Sequence, residues 1–506
     1  MNEIYSPKPK KNNFDLSHEV KMTGNMGNLY PCYIQDVIPG DSFKVNTQQL
    51  VRFSPLLAPI MHNVDFKLDY FFVPYRIIWD EWKDFITGGE DGNDLPSYPR
   101  INVGTGSIRN YLTKGSLADY LGIPPTTDSA GSKGGAWTDV GTGSSTRQEI
   151  SVLPFRAYQL IYHEYFRDQN VGTEYEQYKS SGLQTATDFD DLLSLRKSNW
   201  QKDYFTSSLP FLQRGDAVVL PLGDTAPIMI KPDGPSTGDV SLTHEVSLAS
   251  ATAATVNELR KATALQRWLE LMARAGSRYR EQIHAIFGER IPDYTVQIPK
   301  YLGGGKTPIM VSEILSTYQQ LAADGTSNDR PAGDMYGHAL GLGNDIGFTE
   351  SFDEHGIILG LCRIIPKSSY VQGLNRFWQK FDKFDHYFPQ FANLGEQEVY
   401  NKELYVEGNV TDDNAIFGYQ QRYAEYKYSE NRIAGDFRDT LAHWELSRRF
   451  ENSAPLLNQS FIECNSADVD RIFAITDDNE DKCWISLYHR VNAIRPIPYF
   501  SNPSLT

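Results

Sequence analysis

Residue types suited to phosphate, metal or nucleophile chemistry occur in several stretches, and each stretch lacks the required spacing. Leu302-Gly-Gly-Gly-Lys-Thr307 ends like a phosphate-binding loop. Such a loop has another glycine five residues before the one that precedes the lysine, where this chain has Lys300. A glycine-rich turn is therefore the preferred interpretation.

Metal-ligand patterns fail in the same way. His-Glu pairs begin at His18, His163 and His244, but the second histidine of a zinc helix is replaced by Met22, Arg167 and Leu248. The acidic run 477–481 resembles a calcium loop, yet Lys482 stands at the required glycine and Tyr488 at the closing glutamate. A solvated hairpin tip is the expectation there. With no Gly-x-Ser-x-Gly elbow either, we predict a protein that is not an enzyme, with no catalytic, cofactor or metal residues.

One segment could hold nucleic acid. Residues 375–388 interleave basic and aromatic side chains, a mixture that stacks on bases and neutralises phosphates. Arg376, Trp378 and Lys380 are its candidate DNA contacts. The alternative is a packed segment whose basic stems lie over rings, because Asp382 and Asp385 reduce its positive charge.

The first residues, 1–13, are predicted to form a flexible arm. Lys8, Lys10 and Lys11 lie close to prolines and are further candidate DNA contacts, unless this is an ordinary disordered terminus. The whole chain has 48 basic and 64 acidic residues and a formal charge of −16, which argues against a chain that coats nucleic acid by itself. A local basic surface stays compatible with that charge.

Tyrosine and phenylalanine are abundant, with 29 and 26 copies. Tyrosine tolerates half-burial, so this excess suits either extensive interfaces or a β-rich core. In the tyrosine-rich run 419–428, Tyr419, Tyr423 and Tyr426 are candidate subunit contacts. A half-buried strand or helix within one subunit is the alternative.

The element that must organise these residues is the stretch 63–76. Val64, Phe66, Leu68, Tyr70 and Phe72 alternate with charged residues, a period of two that predicts a core strand of an antiparallel sandwich with one wet face at its start. Pairing should stop at Pro74. Further strands are predicted at 14–22, 29–37, 43–53, 216–222, 356–365, 472–475 and 483–491.

Helical spacing predicts helices over 79–86, 154–167 and 255–287, the last opening with a capping box at Thr255 and interrupted at Gly276. Polar, glycine-rich insertions are predicted near 88–150 and within 226–290, and we place the loops on the surface. The four cysteines form no Cys-x-x-Cys pair and are expected to be reduced, buried thiols. Neither a secretory signal nor an apolar run of about 20 residues is apparent, so we expect no membrane span.

A series of motifs in a fixed order resembles the major capsid protein of small single-stranded DNA bacteriophages, the gokushovirus branch of the Microviridae. They run from residue 14 to residue 427 and are Phe14-Asp-Leu-Ser-His18, Phe66-Lys-Leu-Asp-Tyr-Phe-Phe-Val-Pro74, Leu153-Pro-Phe-Arg-Ala-Tyr158, Phe166-Arg-Asp-Gln-Asn170, Asp203-Tyr-Phe-Thr-Ser-Ser-Leu-Pro210, Tyr301-Leu-Gly-Gly-Gly305, Phe391-Ala-Asn-Leu-Gly-Glu-Gln397 and Phe417-Gly-Tyr-Gln-Gln-Arg-Tyr-Ala-Glu-Tyr-Lys427.

This resemblance implies a mainly β fold, an eight-stranded antiparallel viral jelly roll with large loop and helical insertions, as one domain over 14–506. It implies pentamers that form a T=1 icosahedral shell around circular single-stranded DNA, made in the host bacterial cytoplasm and located in the virion. The implied partners are an internal scaffolding protein, a DNA pilot protein, a small basic DNA-binding protein and a host cell-surface receptor. Residues 226–254 match the insert that forms threefold protrusions in the family, although they are short for it, and the longer loop 126–149 could share that surface role.

Two rival functions fit parts of the sequence. A carbohydrate-binding or carbohydrate-active jelly roll would use the aromatic and carboxylate excess and would bind a sugar saturably. A single-strand nucleic-acid binder would work through residues 375–388 and would bind with strong salt dependence. The capsid interpretation is preferred because it accounts for the whole length, the loops and the missing catalytic motifs.

Overall fold

The computed structural model of the chain describes residues 10–103, 108, 111–125, 149–184, 189–216, 218, 228–232, 242–246, 256–293, 295–317, 320–321, 328–330, 333, 335–451, 453–477 and 479–500. The strands there are β1 (Asn12–Asp15), β2 (His18–Gly24), β3 (Tyr30–Val37), β4 (Ser42–Phe53), β5 (Val64–Pro74), β6 (Arg100–Asn102), β7 (Glu149–Ser151), β8 (Ile228–Pro232), β9 (Leu242–Val246), β10 (Lys300–Leu315), β11 (Gln320–Leu321), β12 (Asn328–Arg330), β13 (Met335–Ser351), β14 (Gly356–Pro366), β15 (Glu396–Tyr400), β16 (Ile416–Gln421) and β17 (Cys483–Arg495).

The helices in the same residues are mostly short. They are α1 (Tyr75–Ile78), α2 (Trp82–Thr87), α3 (Leu117–Tyr120), α4 (Leu153–Ile161), which continues as a π-helical turn over Tyr162–Phe166, α5 (Asp190–Leu193), α6 (Val256–Ala275), α7 (Tyr279–Phe287), α8 (Asn401–Leu404), α9 (Val410–Asp413), α10 (Gln459–Ile462) and α11 (Ser466–Val469). Short 3-10 turns span Arg376–Gln379, Lys383–Asp385, Pro389–Phe391, Ala424–Tyr426, Gly435–Arg438, Ala442–Trp444 and Asp470–Ile472. Among the described helices, none has the length and apolarity to cross a bilayer.

One antiparallel sheet dominates the fold. Its strand order is β1-β17-β4-β13-β10-β5-β14-β3, and β2 pairs with β17 beside β1. The long strands β10 and β13 change partners along their length: β10 pairs with β5 through residues 300–309 and with β13 through residues 310–315. The sheet therefore curls at these two strands, and its halves face each other as a jelly-roll sandwich.

The interior between the two halves is apolar and rich in aromatic rings. Phe352 links the halves, because its ring centroid lies 4.6 Å from that of Phe72 on β5 and 6.0 Å from that of Phe43 on β4. The Tyr70 ring meets that of Phe348 on β13 at 5.2 Å. Such close ring pairs add specific geometry to the burial of apolar area, so they fix how one half sits on the other.

Strand β5 confirms the period-two pattern and shows where it ends. Val64, Phe66, Leu68, Tyr70 and Phe72 are all at most 5% exposed and belong to the sandwich core. The intervening Asp65, Lys67 and Asp69 are half-buried on the opposite face, as predicted for its start. Pairing with β14 extends to Pro74 and ends there.

The second half of β5 is covered on both faces. Phe71 and Val73 pack with Ile357 and Leu359 of β14 into a second core under α4. Helix α4 offers Phe155, Tyr158 and Ile161 to that core, and Pro154 lies in its first turn as expected. The helical spacing predicted over 154–167 is confirmed, with the π-turn as its last part.

The glycine-rich turn predicted at 302–307 is wrong, because these residues lie inside β10. Gly303, Gly304 and Gly305 pair with Tyr70, Asp69 and Leu68 of β5, next to a register shift at Tyr301. A Cβ at Gly304 would lie 2.4 Å from Asp69 Oδ1 and 2.7 Å from the Leu68 carbonyl oxygen, distances that real Cβ atoms do not show. Glycine is present for close approach between strands, a role that the sequence alone does not separate from a turn.

Three other strand or loop predictions need correction. Residues 472–475 form the end of a 3-10 turn and a single bridge from Phe473 to Leu56 instead of a strand. The described residues of the acidic run 477–481 lie between a 3-10 turn and β17 and are not the tip of a hairpin, although Asp477 is exposed. Asn12 and Asn13, the last residues of the arm predicted over 1–13, are part of β1 and pair with Arg495 and Ile494. The strand predicted at 216–222 lies almost wholly outside the described residues, and Asp216 itself is a bend.

The predicted insertions are described only in part. Residues 126–148 lie outside the described chain, and between 226 and 254 only the hairpin of β8 and β9 is described. Helices α6 and α7 confirm the predicted long helix and its interruption at Gly276, whose φ is 102°. Thr255, the predicted cap residue, is again outside the described residues.

Candidate assembly and nucleic-acid surfaces

Of the three DNA contacts predicted at the start of the chain, the structure describes two. Lys8 lies outside the described residues, whereas Lys10 and Lys11 are exposed. The Lys11 ammonium group donates a hydrogen bond to the Gly40 carbonyl oxygen, next to the pairing of β1 with β17. A neutral carbonyl leaves the charge of the Lys11 ammonium group uncompensated. For Lys10, the structure shows only that it is exposed.

Arg376 is committed to an internal ion pair. Its Nη1 lies 3.1 Å from Glu403 Oε1 and 2.6 Å from the Glu398 carbonyl oxygen. Glu403 is 3% exposed and also accepts a hydrogen bond of 3.1 Å from the Tyr204 hydroxyl. Burial raises the pKa of the Glu403 carboxyl, while Arg376 opposes that shift. Arg376 therefore compensates a buried carboxylate of its own chain.

Lys380 is occupied in a similar way. Its side chain is 9% exposed, and its Nζ lies 4.0 Å from Glu425 Oε1. The same Nζ sits 3.8 Å from the centroid of the Tyr426 ring, an arrangement that favours a cation. Arg376 and Lys380 therefore contact rings and carboxylates of their own chain. This fits the alternative interpretation of residues 375–388, a packed segment whose basic stems lie over rings.

Trp378 differs from its two neighbours because 66% of its side chain is exposed. Its ring packs edge-on against Phe377, with centroids 5.2 Å apart. Further large rings of this segment are exposed at Phe381, Phe384, Tyr387 and Phe388. Phe377 and Phe381 are exposed but are not among the candidate contacts predicted from the sequence. Short 3-10 turns separated by irregular chain give no periodic pattern that would distinguish exposed from buried rings.

The three candidate interface tyrosines have different surroundings. Tyr419 is half-buried on β16, where its backbone exchanges hydrogen bonds of 2.8 Å with Leu209. Tyr423 is 3% exposed with φ of 61°, and its hydroxyl donates to the His386 carbonyl oxygen at 3.2 Å. Tyr426 is 54% exposed. Of the three, only Tyr426 presents most of its ring to a partner.

An acidic group lies under the same segment. Glu430 accepts a hydrogen bond of 3.2 Å from Asn375, and burial raises its pKa to about 7. Asn375 in turn accepts from the Phe377 backbone N–H at 2.8 Å and caps the first 3-10 turn. The base of the segment is thus carboxylate-rich, and no cluster of three potential metal ligands occurs among the described residues.

A cleft of about 1010 Å³ opens where β2 and β3 end the two halves of the sandwich. Its walls include His18 and Met22 of β2, Tyr33 and Ile34 of β3, and the exposed Trp484 of β17. The Tyr120 hydroxyl closes one side by donating to the Thr23 carbonyl oxygen at 2.8 Å.

The four cysteines are buried free thiols, as expected, and burial raises the pKa of the Cys464 thiol to about 12.

A curled jelly-roll sandwich is a fold that viral capsid proteins share with lectin and cupin domains, so the fold alone is compatible with a shell subunit. The chain belongs to the family described as capsid protein (F protein), whose model matches residues 2–505.

Curated relatives cover the same length. The chain is 31% identical to capsid protein VP1 of Chlamydia phage 1 and 32% identical to capsid protein VP1 of Bdellovibrio phage phiMH2K, in each case over 99% of this chain and 97% of the relative. It is 27% identical to capsid protein VP1 of Spiroplasma virus 4, over 97% of this chain and 94% of the relative. The protein is therefore a structural capsid protein of a bacteriophage virion, not an enzyme, and the resemblance found in the sequence is confirmed.

Proposed function

We propose that the chain assembles through pentamers into a closed T=1 icosahedral shell that encloses circular single-stranded DNA. The observation that carries this proposal is the end-to-end similarity to capsid proteins VP1, which covers 99% of this chain. A closed shell repeats each contact many times, so individually modest contacts suffice for a stable particle.

The net charge of the chain supports a separate protein that neutralises the DNA. A formal charge of −16 cannot neutralise a genome, so a small basic DNA-binding protein would supply the cations that the shell lacks. Lys8, Lys10 and Lys11 are the shell's own proposed DNA contacts, and the exposed position of Lys10 and Lys11 supports that role. An internal scaffolding protein and a DNA pilot protein are the other proposed partners during assembly and delivery.

The inserted segments are proposed to face the host. Residues 226–254 and 126–149 would lie on the outer surface of the shell and contact a cell-surface receptor. Their polar, small-residue composition supports a solvent-facing position. A carbohydrate-active jelly roll is not retained as a second candidate, because the family is a structural one.

Sedimentation velocity of the purified full chain, with electron microscopy of the fastest fraction, tests the assembly proposal. Pentamers or closed shells of uniform size are the expected result. A chain that stays monomeric at every concentration, also when co-expressed with the other proteins of its phage, would overturn it.

A further inference from the structure

The surface that stands out most on the described chain is the aromatic segment, defined as residues 374–394. Its six most exposed rings present between 40% and 91% of their surface to solvent; they are Phe377, Trp378, Phe381, Phe384, Tyr387 and Phe388. Leu374 and Leu394, at its two ends, are 40% and 66% exposed. Exposed apolar patches of this kind mark sites of contact with another macromolecule.

The rings project from a backbone that is held in place. The Asp385 carboxylate accepts hydrogen bonds of 2.9 Å and 2.8 Å from the backbone N–H groups of Phe381 and Asp382. Gln379 donates to the Leu374 carbonyl oxygen at 2.7 Å and closes the first turn. The segment is thus ordered before it meets a partner, which lowers the entropy cost of binding.

Charge argues against nucleic acid as that partner. The cations of Arg376 and Lys380 face Glu403 and Glu425, and Glu430 lies at the base of the segment. A single strand is held by rings together with free positive charge along its backbone. Lys383 is the exposed lysine of the segment; it lies over the Phe384 ring, and Asp382 and Asp385 flank it in the sequence. Exposed rings with so little positive charge among them are instead typical of the centre of a protein–protein interface.

The size of the surface also fits a protein contact. With about 150–250 Å² on each aromatic side chain, the exposed fractions of the six rings correspond to roughly 700 Å². A standard interface buries about 800 Å² on each partner. The surface continues onto α6, where Glu270 lies beside Gly395 and Arg274 pairs with Glu396, and where Trp268 is 49% exposed.

We propose that the aromatic segment, together with Tyr426, is a contact between copies of this chain in the shell and not a DNA-binding surface. This inference rests on the proposed assembly function, since it assigns a place to one of the contacts that a shell must contain. Copies of the chain are the partner that a capsid subunit meets at every position.

The test compares the double variant Trp378→Ser/Phe381→Ser with a matched control, Phe500→Ser, whose ring is 78% exposed at the other end of the sequence. Sedimentation velocity measures association, and thermal melting followed by circular dichroism checks that each chain is folded. We expect the double variant to melt like the wild type and to associate at least about 30-fold more weakly, the effect of an interface hot spot. The control should assemble like the wild type.

Assembly of the double variant at wild-type concentration would overturn the inference and leave the assembly proposal intact. A wild-type chain that never associates would overturn both. Hydroxyl-radical footprinting of particles separates the two partners: copies of the chain should protect Trp378 and Phe381 in full and in DNA-free particles alike. Protection in full particles alone would assign the surface to DNA and overturn the contact between copies.

Discussion

Tyr70 and His489 stand on facing halves of the sandwich, and the hydroxyl group of Thr47 joins them. Thr47 Oγ1 lies 2.5 Å from the Tyr70 hydroxyl and 2.8 Å from His489 Nδ1, and the Tyr70 hydroxyl is itself 3.4 Å from that nitrogen. His489 Nε2 is 3.1 Å from the Cys32 carbonyl oxygen. Each of these side chains is fully buried. The polar connection therefore ties β4, β5, β17 and β3 together inside an apolar core.

Removing the Thr47 hydroxyl should lower the free energy of unfolding more than removing the Tyr70 hydroxyl. Thr47→Val leaves the Tyr70 hydroxyl and His489 Nδ1 without their short partner, which costs about 1–3 kcal/mol of unfolding free energy. Tyr70→Phe keeps the bond between Thr47 and His489 and should cost about 1 kcal/mol. Denaturant unfolding of both variants measures the difference, and equal losses would contradict the central role of Thr47.

Acid should weaken the fold between pH 6.5 and 4. Burial, with His18 nearby, lowers the pKa of His489 to about 4, and burial lowers that of His163 to about 4 as well. In this window the unfolded chain binds more protons than the folded one, so stability falls as the pH falls. His489 alone contributes about 3 kcal/mol to that loss at 1.36 kcal/mol for each pKa unit.

The variant His489→Gln removes this titration and keeps one donor and one acceptor. Unfolding free energies at pH 7 and pH 4.5 should differ less in the variant than in the wild type. The exposed His284→Gln serves as control and should retain the full pH dependence. An unchanged pH dependence in His489→Gln would assign the acid sensitivity to other groups.

Arg376 should prove to be a structural residue. Arg376→Met leaves the Glu403 carboxylate buried and unpaired, which costs about 3–5 kcal/mol when one partner of a buried pair is removed. Adding Glu403→Gln should recover much of that loss in thermal melting. If Arg376→Met instead kept its stability and lost affinity for a single-stranded oligonucleotide, the predicted DNA contact would gain support.

Adjacent glycines of β10 offer a matched pair. Gly304→Ala places a Cβ against the Leu68 backbone carbonyl, whereas Gly305→Ala meets only the side chain of Ile346, at 3.0 Å. Overpacking against backbone should cost about 1–3 kcal/mol in the first variant. A smaller loss is expected in the second, because the Ile346 side chain can move. Equal melting temperatures would contradict the close approach of β10 and β5.

Two of the tyrosines should separate folding from assembly. Tyr423→Ala removes a ring that is 3% exposed and should lower the melting temperature of the subunit. Tyr426→Ala removes a ring that is 54% exposed and should weaken association while the subunit stays folded. Circular dichroism and sedimentation velocity on both variants measure the two effects. A reversed pattern would contradict the assignment of Tyr426 to a contact between copies.

The sequence predicts the sandwich strands well where the residue types reflect the burial, on one face at the start of β5 and on both faces in β14. The alternation along Val64–Phe72 is visible because charged residues fill the other face of the strand, and Gly356–Pro366 is recognisable as a continuous apolar run. Gly303–Gly305 are misassigned because close packing between strands and tight turns both call for glycine. The pairing of Arg376 with Glu403 could not be predicted, since it joins residues on separate turns whose positions only the folded chain determines.

The exchange of partners along β10 also has a consequence for synthesis. Strand β5 pairs with β10 and β14, so this core strand of the sandwich has neither partner when it leaves the ribosome. Between Pro74 and Lys300 the ribosome adds the inserted chain, which takes roughly 10–50 s at 5–20 residues per second. During this interval the nascent chain carries an unpaired hydrophobic edge. Its yield in the host should therefore depend on chaperones that hold nascent chains, and on the elongation rate through the inserted segments.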